Sequence, residues 1–186
     1  TWEHPRWIHF GAGNIFRAYM AKLQQRLLEA GETDTGIIAA EAFDGELIDK
    51  LYIPYNNLTL LVTLYGDAHL EKEVIASIAA GIKAGPDNAE LKRMMREPLL
   101  QMISMTITEK GYALTDLAGE FFPAVRADIE NGPAKAVTMM GLITALLYHR
   151  YQNGAAPIAV VSMDNCSHNG EKLFNSVITI AHQWYD

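Results

Sequence analysis

The sequence predicts an α/β fold, a mostly parallel sheet with helices on both faces, on the strength of three observations. Short apolar segments alternate along the chain with segments of helical periodicity, which is typical of parallel strands joined by right-handed crossover helices. The apolar segments carry few polar residues, as expected for strands buried on both faces. Two of them, one near each end of the chain, run through a polar turn directly into a helix.

The first half of the chain predicts four strands and two helices. Residues 7–10 form a short strand, and the apolar spacing over 14–30 predicts a helix that ends at Gly31. Residues 35–43 are largely apolar and suit a strand buried on both faces. Two segments on either side of Gly66-Asp67 predict a hairpin-like pair, and a further helix is closed by a proline. The hairpin segments span 58–65 and 69–77, and the helix spans 87–97.

The second half predicts two further strands and three helices. An apolar run that leads into "EKGY" predicts a buried strand, and the run "IAVVSM" predicts another. Asn153-Gly154 marks the end of the longest apolar helix. The predicted strands span 99–108 and 158–163, and the predicted helices span 123–130, 135–152 and 169–185.

Composition narrows the function classes. The chain has 186 residues, 49% hydrophobic and 20% charged, which fits one globular domain. Its longest apolar run, 136–148, is too short to cross a bilayer, and the net charge of −7 without a basic stripe disfavours nucleic acid as a partner. Cys166 is the only cysteine, so internal disulfides and Cys-rich zinc sites are excluded. The histidines do not have the spacing of a metal-binding motif, so no metal is expected. The chain is expected to be cytoplasmic.

The stretch "HFGAGNIFRAY" carries the first candidate site. A strand that turns into a helix through Gly-x-Gly lets the main chain approach a pyrophosphate, and the helix N-terminus adds unpaired N–H groups and positive partial charge. Gly11 would form the tight turn and Gly13 would leave room for the phosphates. The full fingerprint has a third glycine where this chain has Phe16, so a glycine-loosened turn without a ligand stays an alternative. Arg17 could bind a phosphate or a carboxylate, or lie on the surface.

The second predicted strand ends in an acidic residue. In dinucleotide-binding folds a carboxylate at this point accepts hydrogen bonds from the adenosine ribose, and Glu41 occupies it, with Asp44 as the alternative. A carboxylate here would repel the 2′-phosphate of NADP, and the adjoining Ala42 and Phe43 offer no cation. NAD is therefore the predicted cofactor. The alternative is a solvated acid at a strand end.

Three motifs in this order, "HFGAGNIFRAY", "MTITEKGY" and "SMDNCSHNGEKL", resemble the polyol-specific long-chain dehydrogenases. That family includes mannitol 2-dehydrogenase and the fructuronate and tagaturonate reductases, and "TEKGY" with the "DN…NG" spacing is most similar to the uronate reductases. The resemblance spans residue 7 to about residue 182. Many members carry an aromatic residue where the third glycine would be, which accounts for Phe16, but this chain has Tyr19 where members typically carry a histidine.

The resemblance also implies roles for individual residues. Asp164 and Asn165 lie at a strand end that faces the nicotinamide, and Asn165 is expected to polarise the substrate oxygen as a hydrogen-bond donor. Asn169 is expected to cap the last helix. The remaining cofactor contacts are expected along the glycine-rich turn, at the end of the second strand and in the "TEKGY" segment, from Gly11, Gly13, Asn14, Ile15, Phe16, Arg17, Glu41, Thr108 and Glu109. For Thr108 and Glu109 the alternative is that both only shape the turn before Gly111.

By this resemblance, residues 1–186 are a Rossmann-like NAD-binding domain of an oxidoreductase that acts on a sugar acid or polyol, with fructuronate/mannonate favoured over mannitol/fructose. The family's general acid/base lysine belongs to a second, helical domain, in a motif that neither Lys110 nor Lys172 matches. This chain alone is thus expected to show little activity, and its own C-terminal domain is the expected partner. A non-catalytic nucleotide-sensing or interaction domain, and a domain that binds no nucleotide, remain alternatives.

Overall fold

A computed structural model describes residues 2–154 and 156–185. Within these ranges the chain forms seven strands in two sheets. The strands are β1 (Trp7–Phe10), β2 (Ile37–Glu41), β3 (Thr59–Leu64), β4 (Leu70–Ile75), β5 (Ile78–Lys83), β6 (Met102–Met105) and β7 (Ala159–Ser162).

In the described part of the chain, six α-helices lie between and after the strands: α1 (Ala21–Glu29), α2 (Gly45–Leu47), α3 (Ala89–Met95), α4 (Pro123–Asn131), α5 (Met139–Gln152) and α6 (Asn169–Tyr185). A π-helical turn, Phe16–Met20, leads into α1. A second one, Ile48–Tyr52, follows α2 and passes into a 3₁₀ turn over Ile53–Tyr55. Two more 3₁₀ turns span Glu109–Gly111 and Pro133–Lys135. No helix in the described ranges has both the length and the apolar character needed to cross a membrane.

The main sheet has five parallel strands in the order β5-β2-β1-β6-β7. From β1 the chain winds outward through β2 to β5, and then crosses back through α3 to β6 on the other side of β1. The direction of winding therefore reverses between β1 and β6. In open parallel sheets, ligands bind in the crevice outside the carboxyl ends of the strands at such a reversal.

Each face of the sheet carries its own core. One face packs Ile8, Phe10 and Ile103 against apolar side chains of α3, α5 and α6. The other face packs Ile37 and Ala39 against the helical turn before α1 and the helical segment 45–55. Because both faces are covered, the strands read as near-continuous apolar runs. The predicted fold class is confirmed.

Arg150, at the end of α5, ties one flank of the sheet together. The residue is 4% exposed, and its guanidinium donates hydrogen bonds to four main-chain carbonyl oxygens. The acceptors are those of Met95 (2.7 Å), Glu97 (2.9 Å), Leu100 (3.2 Å) and Ala156 (2.8 Å). These oxygens belong to the end of α3, the connection to β6 and the segment before β7.

The structure differs from the sequence-based prediction in three segments. β5 was not predicted, although it is the edge strand of the main sheet. Its centre consists of Ala79, Ala80 and Gly81, which carry little side-chain signal for a strand. The small residue is needed there, because a Cβ on Gly81 would lie 2.9 Å from the ring of Tyr52. The helical segment 45–55 was also not predicted, and the helix expected over 135–152 begins later, at Met139, with Thr138 as its N-cap.

Candidate functional site

Three contacts join the carboxyl ends of four neighbouring strands into one row. They connect the end of β2 to the turn after β1, that turn to the segment after β6, and that segment to the residues after β7. The contacts are Ala12 N–H to Glu41 Oε2 (3.0 Å), Gly11 packed against Thr106, and Thr108 N–H to Asp164 Oδ1 (3.0 Å). The segments predicted from the sequence to form the site thus lie together at the edge of the sheet where the winding of the chain reverses.

Gly11 is required because the main chain after β1 passes very close to the main chain after β6. Its φ is +104°, in the region that favours glycine, and a Cβ would lie 2.4 Å from the carbonyl oxygen of Thr106. Its N–H donates to the carbonyl of Ala40 at 2.9 Å. Gly11 therefore closes the turn between β1, β2 and β6.

Gly13 differs from Gly11, because a Cβ there would meet no atom within 4 Å and its φ lies outside the left-handed region. The space beside it is open. Asn14 and Ile15, at the start of the helix, are exposed, and the first N–H groups of a helix have no intrahelical acceptor. The corner thus offers free donors and positive partial charge to an anion.

The side chain of Phe16 leaves this corner open. The ring is fully buried and stacks on the imidazole of His9, with centroids 4.5 Å apart and planes at 10°. Only the main chain of Phe16 can therefore contribute to the predicted cofactor contact.

Arg17 lies one residue farther along the same turn. Its Nη2 donates to Asn14 Oδ1 at 2.5 Å, whereas its buried Nε has no hydrogen-bond partner among the described residues. A cavity of about 200 Å³ lies between this side chain and β3. An unpaired cationic donor beside the open turn suits an anionic ligand.

Glu41 is 8% exposed, and its carboxylate is already engaged by the protein. Oε2 accepts from Ala12 N–H, and Oε1 accepts from the N–H groups of Phe43 (3.0 Å) and Asp44 (3.3 Å). The carboxylate thereby holds the glycine-rich turn to the end of β2. Asp44 is exposed, and its side chain caps no helix N–H, so it is the freer carboxylate of the two.

Asp164 likewise has internal partners. Its two oxygens accept from the N–H groups of Ile107 (2.9 Å) and Thr108 (3.0 Å) and from the hydroxyl of Tyr112 (2.5 Å). Burial, followed by the hydrogen bond to Asp164, raises the pKa of Tyr112, which keeps its hydroxyl a donor. In the structure the carboxylate of Asp164 positions the segment that follows β6, and its expected contact with the cofactor stays a prediction.

That segment contains a strained residue. Thr108 has φ +67°, an unusual value for a β-branched residue, which costs about 1–3 kcal/mol. Its N–H bonds Asp164, and its carbonyl accepts from Gly111 N–H at 3.0 Å. The carboxylate of Asp164 and the short 3₁₀ turn hold this conformation.

The other predicted residues lie around the ends of β6 and β7. Glu109 is exposed and pairs with Lys172 at 2.5 Å, beside a cavity of about 470 Å³ between this segment and α6. Asn165 is exposed. Asn169 Nδ2 donates to the carbonyl of Asp164 at 2.9 Å and thus ties the turn to the start of α6. In the described ranges, no cluster of three His, Cys, Asp or Glu residues is placed to hold a metal ion.

A row of polar side chains that was not predicted from the sequence lies beneath the site. Trp7 and His9 of β1 face Ser104 of β6 and Thr106, which follows it. Hydrogen bonds connect Trp7 Nε1 to Ser104 Oγ (2.6 Å), Ser104 Oγ to His9 Nδ1 (2.7 Å) and His9 Nε2 to Thr106 Oγ1 (3.0 Å). The signal was present as polar residues at a spacing of two in strands predicted to be buried, where polar groups need partners.

His9 leads to a testable pH dependence of stability. The ring is fully buried, and desolvation lowers its pKa from 6.5 to about 3. Below pH 6.5 the unfolded chain binds a proton that the folded chain does not. The free energy of unfolding therefore decreases as the pH is lowered from 6.5 toward 3, by up to ~1.4 kcal/mol per pH unit. Urea unfolding between pH 7.5 and 4.5 should show a shallower decline in His9→Gln than in the wild type. Equal slopes would contradict this assignment.

The chain matches the family model described as the mannitol dehydrogenase Rossmann domain over residues 5–185. It is 49% identical over 187 residues to the D-mannonate oxidoreductase of Thermotoga maritima, covering 99% of this chain and 35% of that protein. It is 30% identical over 172 residues to the polyol:NADP oxidoreductase of Gluconobacter oxydans, covering 89% of this chain and 35% of that one.

A solved structure agrees with the sequence comparisons. Mannitol 2-dehydrogenase of Pseudomonas fluorescens, in a ternary complex with NAD and D-mannitol, superposes with a TM-score of 0.85 at 29% identity. The match covers 98% of this chain and 38% of that one. The chain thus spans a little more than a third of the length of these relatives. Its fold, its strand-end site and these matches together show that the chain belongs to the mannitol dehydrogenase family, of which it forms the Rossmann domain.

Proposed function

We propose that this chain is the NAD-binding domain of an oxidoreductase that transfers a hydride between nicotinamide and a sugar acid or polyol. The observation that carries the proposal is the open corner at Gly13, located where the winding of the sheet reverses. The relative solved with NAD and D-mannitol supports it, since that protein has the same fold. The activity belongs to a longer polypeptide, because the matched relatives are more than twice as long as this chain.

The proposed diphosphate site is the turn between β1 and α1. Gly13 leaves space for the phosphates, and the N–H groups at the start of the helix, around Asn14 and Ile15, donate to them. Arg17 supplies a positive charge and an unused donor beside the same turn. Gly11 takes no direct part and holds the main chain in place.

The proposed preference for NAD rests on the two carboxylates at the end of β2. Glu41 holds the turn, while exposed Asp44 is free to accept hydrogen bonds from the ribose. Both negative charges repel a 2′-phosphate. One relative is named for NADP, so cofactor choice is tested on this chain directly.

The proposed chemistry divides between this chain and the rest of the polypeptide. NAD supplies the hydride acceptor, or its reduced form the donor. Asn165, exposed after β7, donates a hydrogen bond to the substrate oxygen that alternates between hydroxyl and carbonyl. Thr108 and Glu109 line the approach to the nicotinamide end. The proton is exchanged by a lysine outside residues 1–186, so this chain alone lacks a step worth roughly 10²–10⁴ in rate.

The proposed substrate is fructuronate/mannonate, with mannitol/fructose as the next candidate. The 49% identity to a D-mannonate oxidoreductase favours the first. Mannitol bound in the solved relative supports the second.

Calorimetry with NADH tests the proposal. Gly13→Val is expected to weaken NADH binding at least ~100-fold, ~2.7 kcal/mol, because the added side chain fills open space reserved for the phosphates. The fold should survive, since a Cβ at Gly13 meets no protein atom. Gly66→Val is the matched control, because a Cβ on Gly66 also meets no atom within 4 Å and Gly66 lies in the turn between β3 and β4, so this variant should leave binding unchanged.

The same titration should show weaker binding of NADPH than of NADH to the wild type. Absence of NADH binding to the wild type, or equal binding by Gly13→Val, would contradict the proposed diphosphate site. If NADPH bound as tightly as NADH, only the proposed role of the two carboxylates in cofactor choice would be contradicted, and the proposed diphosphate site would stand.

A further inference from the structure

We infer that Thr106 donates its hydroxyl hydrogen to the bound dinucleotide, and that a buried chain of hydrogen bonds starting at Trp7 fixes this direction. The inference deepens the function proposed above and rests on it. It assigns Thr106 as a ligand-contacting residue, and His9 and Ser104 as positioning residues that act through it.

The direction of this series of hydrogen bonds is set at Trp7, its first member. Trp7 Nε1–H can only donate, and it donates to Ser104 Oγ at 2.6 Å. Ser104 is fully buried, and His9 Nδ1, at 2.7 Å, is the one acceptor within reach of its hydroxyl among the described residues. The hydroxyl hydrogen of Ser104 therefore points to Nδ1.

The imidazole transmits this direction. His9 is uncharged, so with Nδ1 accepting, its single hydrogen is on Nε2. Nε2–H then donates to Thr106 Oγ1 at 3.0 Å. The opposite tautomer would leave the hydroxyl hydrogen of Ser104 buried without an acceptor, which is unfavourable. Stacking on Phe16 fixes the plane of the ring.

Thr106 lies where the chain of hydrogen bonds reaches the crevice. It follows the last residue of β6 and is half-buried, and its Oγ1 is 3.0 Å from the position of a Cβ on Gly11. Because its oxygen accepts from His9, its own hydrogen is available to an acceptor outside the protein. In the described ranges no protein acceptor takes it. The phosphate, ribose and carboxamide oxygens of a dinucleotide are all acceptors of the required kind.

Titration with NADH tests the ligand contact. Thr106→Val keeps the shape but removes the hydroxyl, and it should weaken binding about 10-fold, whereas Thr106→Ser should stay within about 2-fold of the wild type. Thermal unfolding of each variant shows that both are folded. If the wild type and Thr106→Val bind NADH equally, the inference is wrong. If the wild type binds no NADH, the proposed function fails instead.

Nitrogen-15 NMR of the histidine rings tests the direction of these hydrogen bonds without any ligand. The ring of His9 should show a protonated Nε2 and an unprotonated Nδ1. Ser104→Ala removes the hydrogen bond that selects the tautomer, so the preference for a proton on Nε2 should become smaller, and NADH binding should weaken although Ser104 touches no ligand. A wild-type ring protonated on Nδ1 would overturn the inference, whatever the affinity for NADH.

Discussion

Replacing Arg150 with methionine is expected to destabilise the domain by ~3–5 kcal/mol, measured by urea unfolding. The variant keeps an apolar stem of similar length but removes donors from four main-chain carbonyl oxygens, two of them in fully buried hydrogen bonds. Buried carbonyls without donors carry most of this cost. A typical domain has only ~5–15 kcal/mol of stability in total, so the expected loss is a large fraction of it.

A graded series sharpens this test. Arg150→Lys places one ammonium where a planar guanidinium bonds four carbonyls, so it should fall between the wild type and Arg150→Met. Arg126→Met is the matched control, because Arg126 is exposed and makes a surface ion pair with Glu120; it should change stability by less than ~0.5 kcal/mol. A loss below ~1 kcal/mol in Arg150→Met would contradict the role described here.

Replacing Glu41 with alanine is expected to destabilise the domain by ~2–4 kcal/mol and to weaken NADH binding at least ~10-fold. The carboxylate accepts from three main-chain N–H groups, and that of Ala12 is buried. Hydrogen bonds to a charged group each contribute ~1.5–3 kcal/mol, with partial replacement by water at the two less buried donors. Without this anchor, the glycine-rich turn loses its tie to β2.

Glu46→Ala is the control for Glu41→Ala. Glu46 is exposed and makes an i,i+4 pair with Lys50, so its removal should cost less than ~0.5 kcal/mol and leave NADH binding unchanged. Calorimetry measures the affinity and urea unfolding the stability. A Glu41→Ala protein as stable as the wild type, with weaker NADH binding, would mean that Glu41 contacts the ribose directly and does not anchor the turn.

The fold was predictable where local pattern and tertiary structure agree. Apolar runs between helical segments predicted β1, β2, β6 and β7, because a strand that is buried on both faces consists almost entirely of apolar residues. β5 escaped prediction, since its small residues are selected by the ring of Tyr52 and not by strand propensity. That contact depends on a helical segment that the sequence also failed to reveal.

The site was predictable as a set of segments but not as a set of contacts. Gly-x-Gly after a strand and the polar residues after β7 indicated the correct edge of the sheet. The partners of Glu41 and Asp164 are N–H groups of neighbouring strands, so they depend on strand order. The pairing of His9 with Ser104 depends on the register between β1 and β6, which the sequence of either strand leaves open.

The burial of His9 has a consequence for catalysis. With a pKa of about 3, the imidazole can neither release nor take up a proton near neutral pH, although it lies directly below the proposed cofactor. It can orient a hydrogen, but it cannot serve as the acid or base of a redox reaction. Any rise or fall of turnover between pH 6 and 9 in the complete enzyme must therefore report on a different residue.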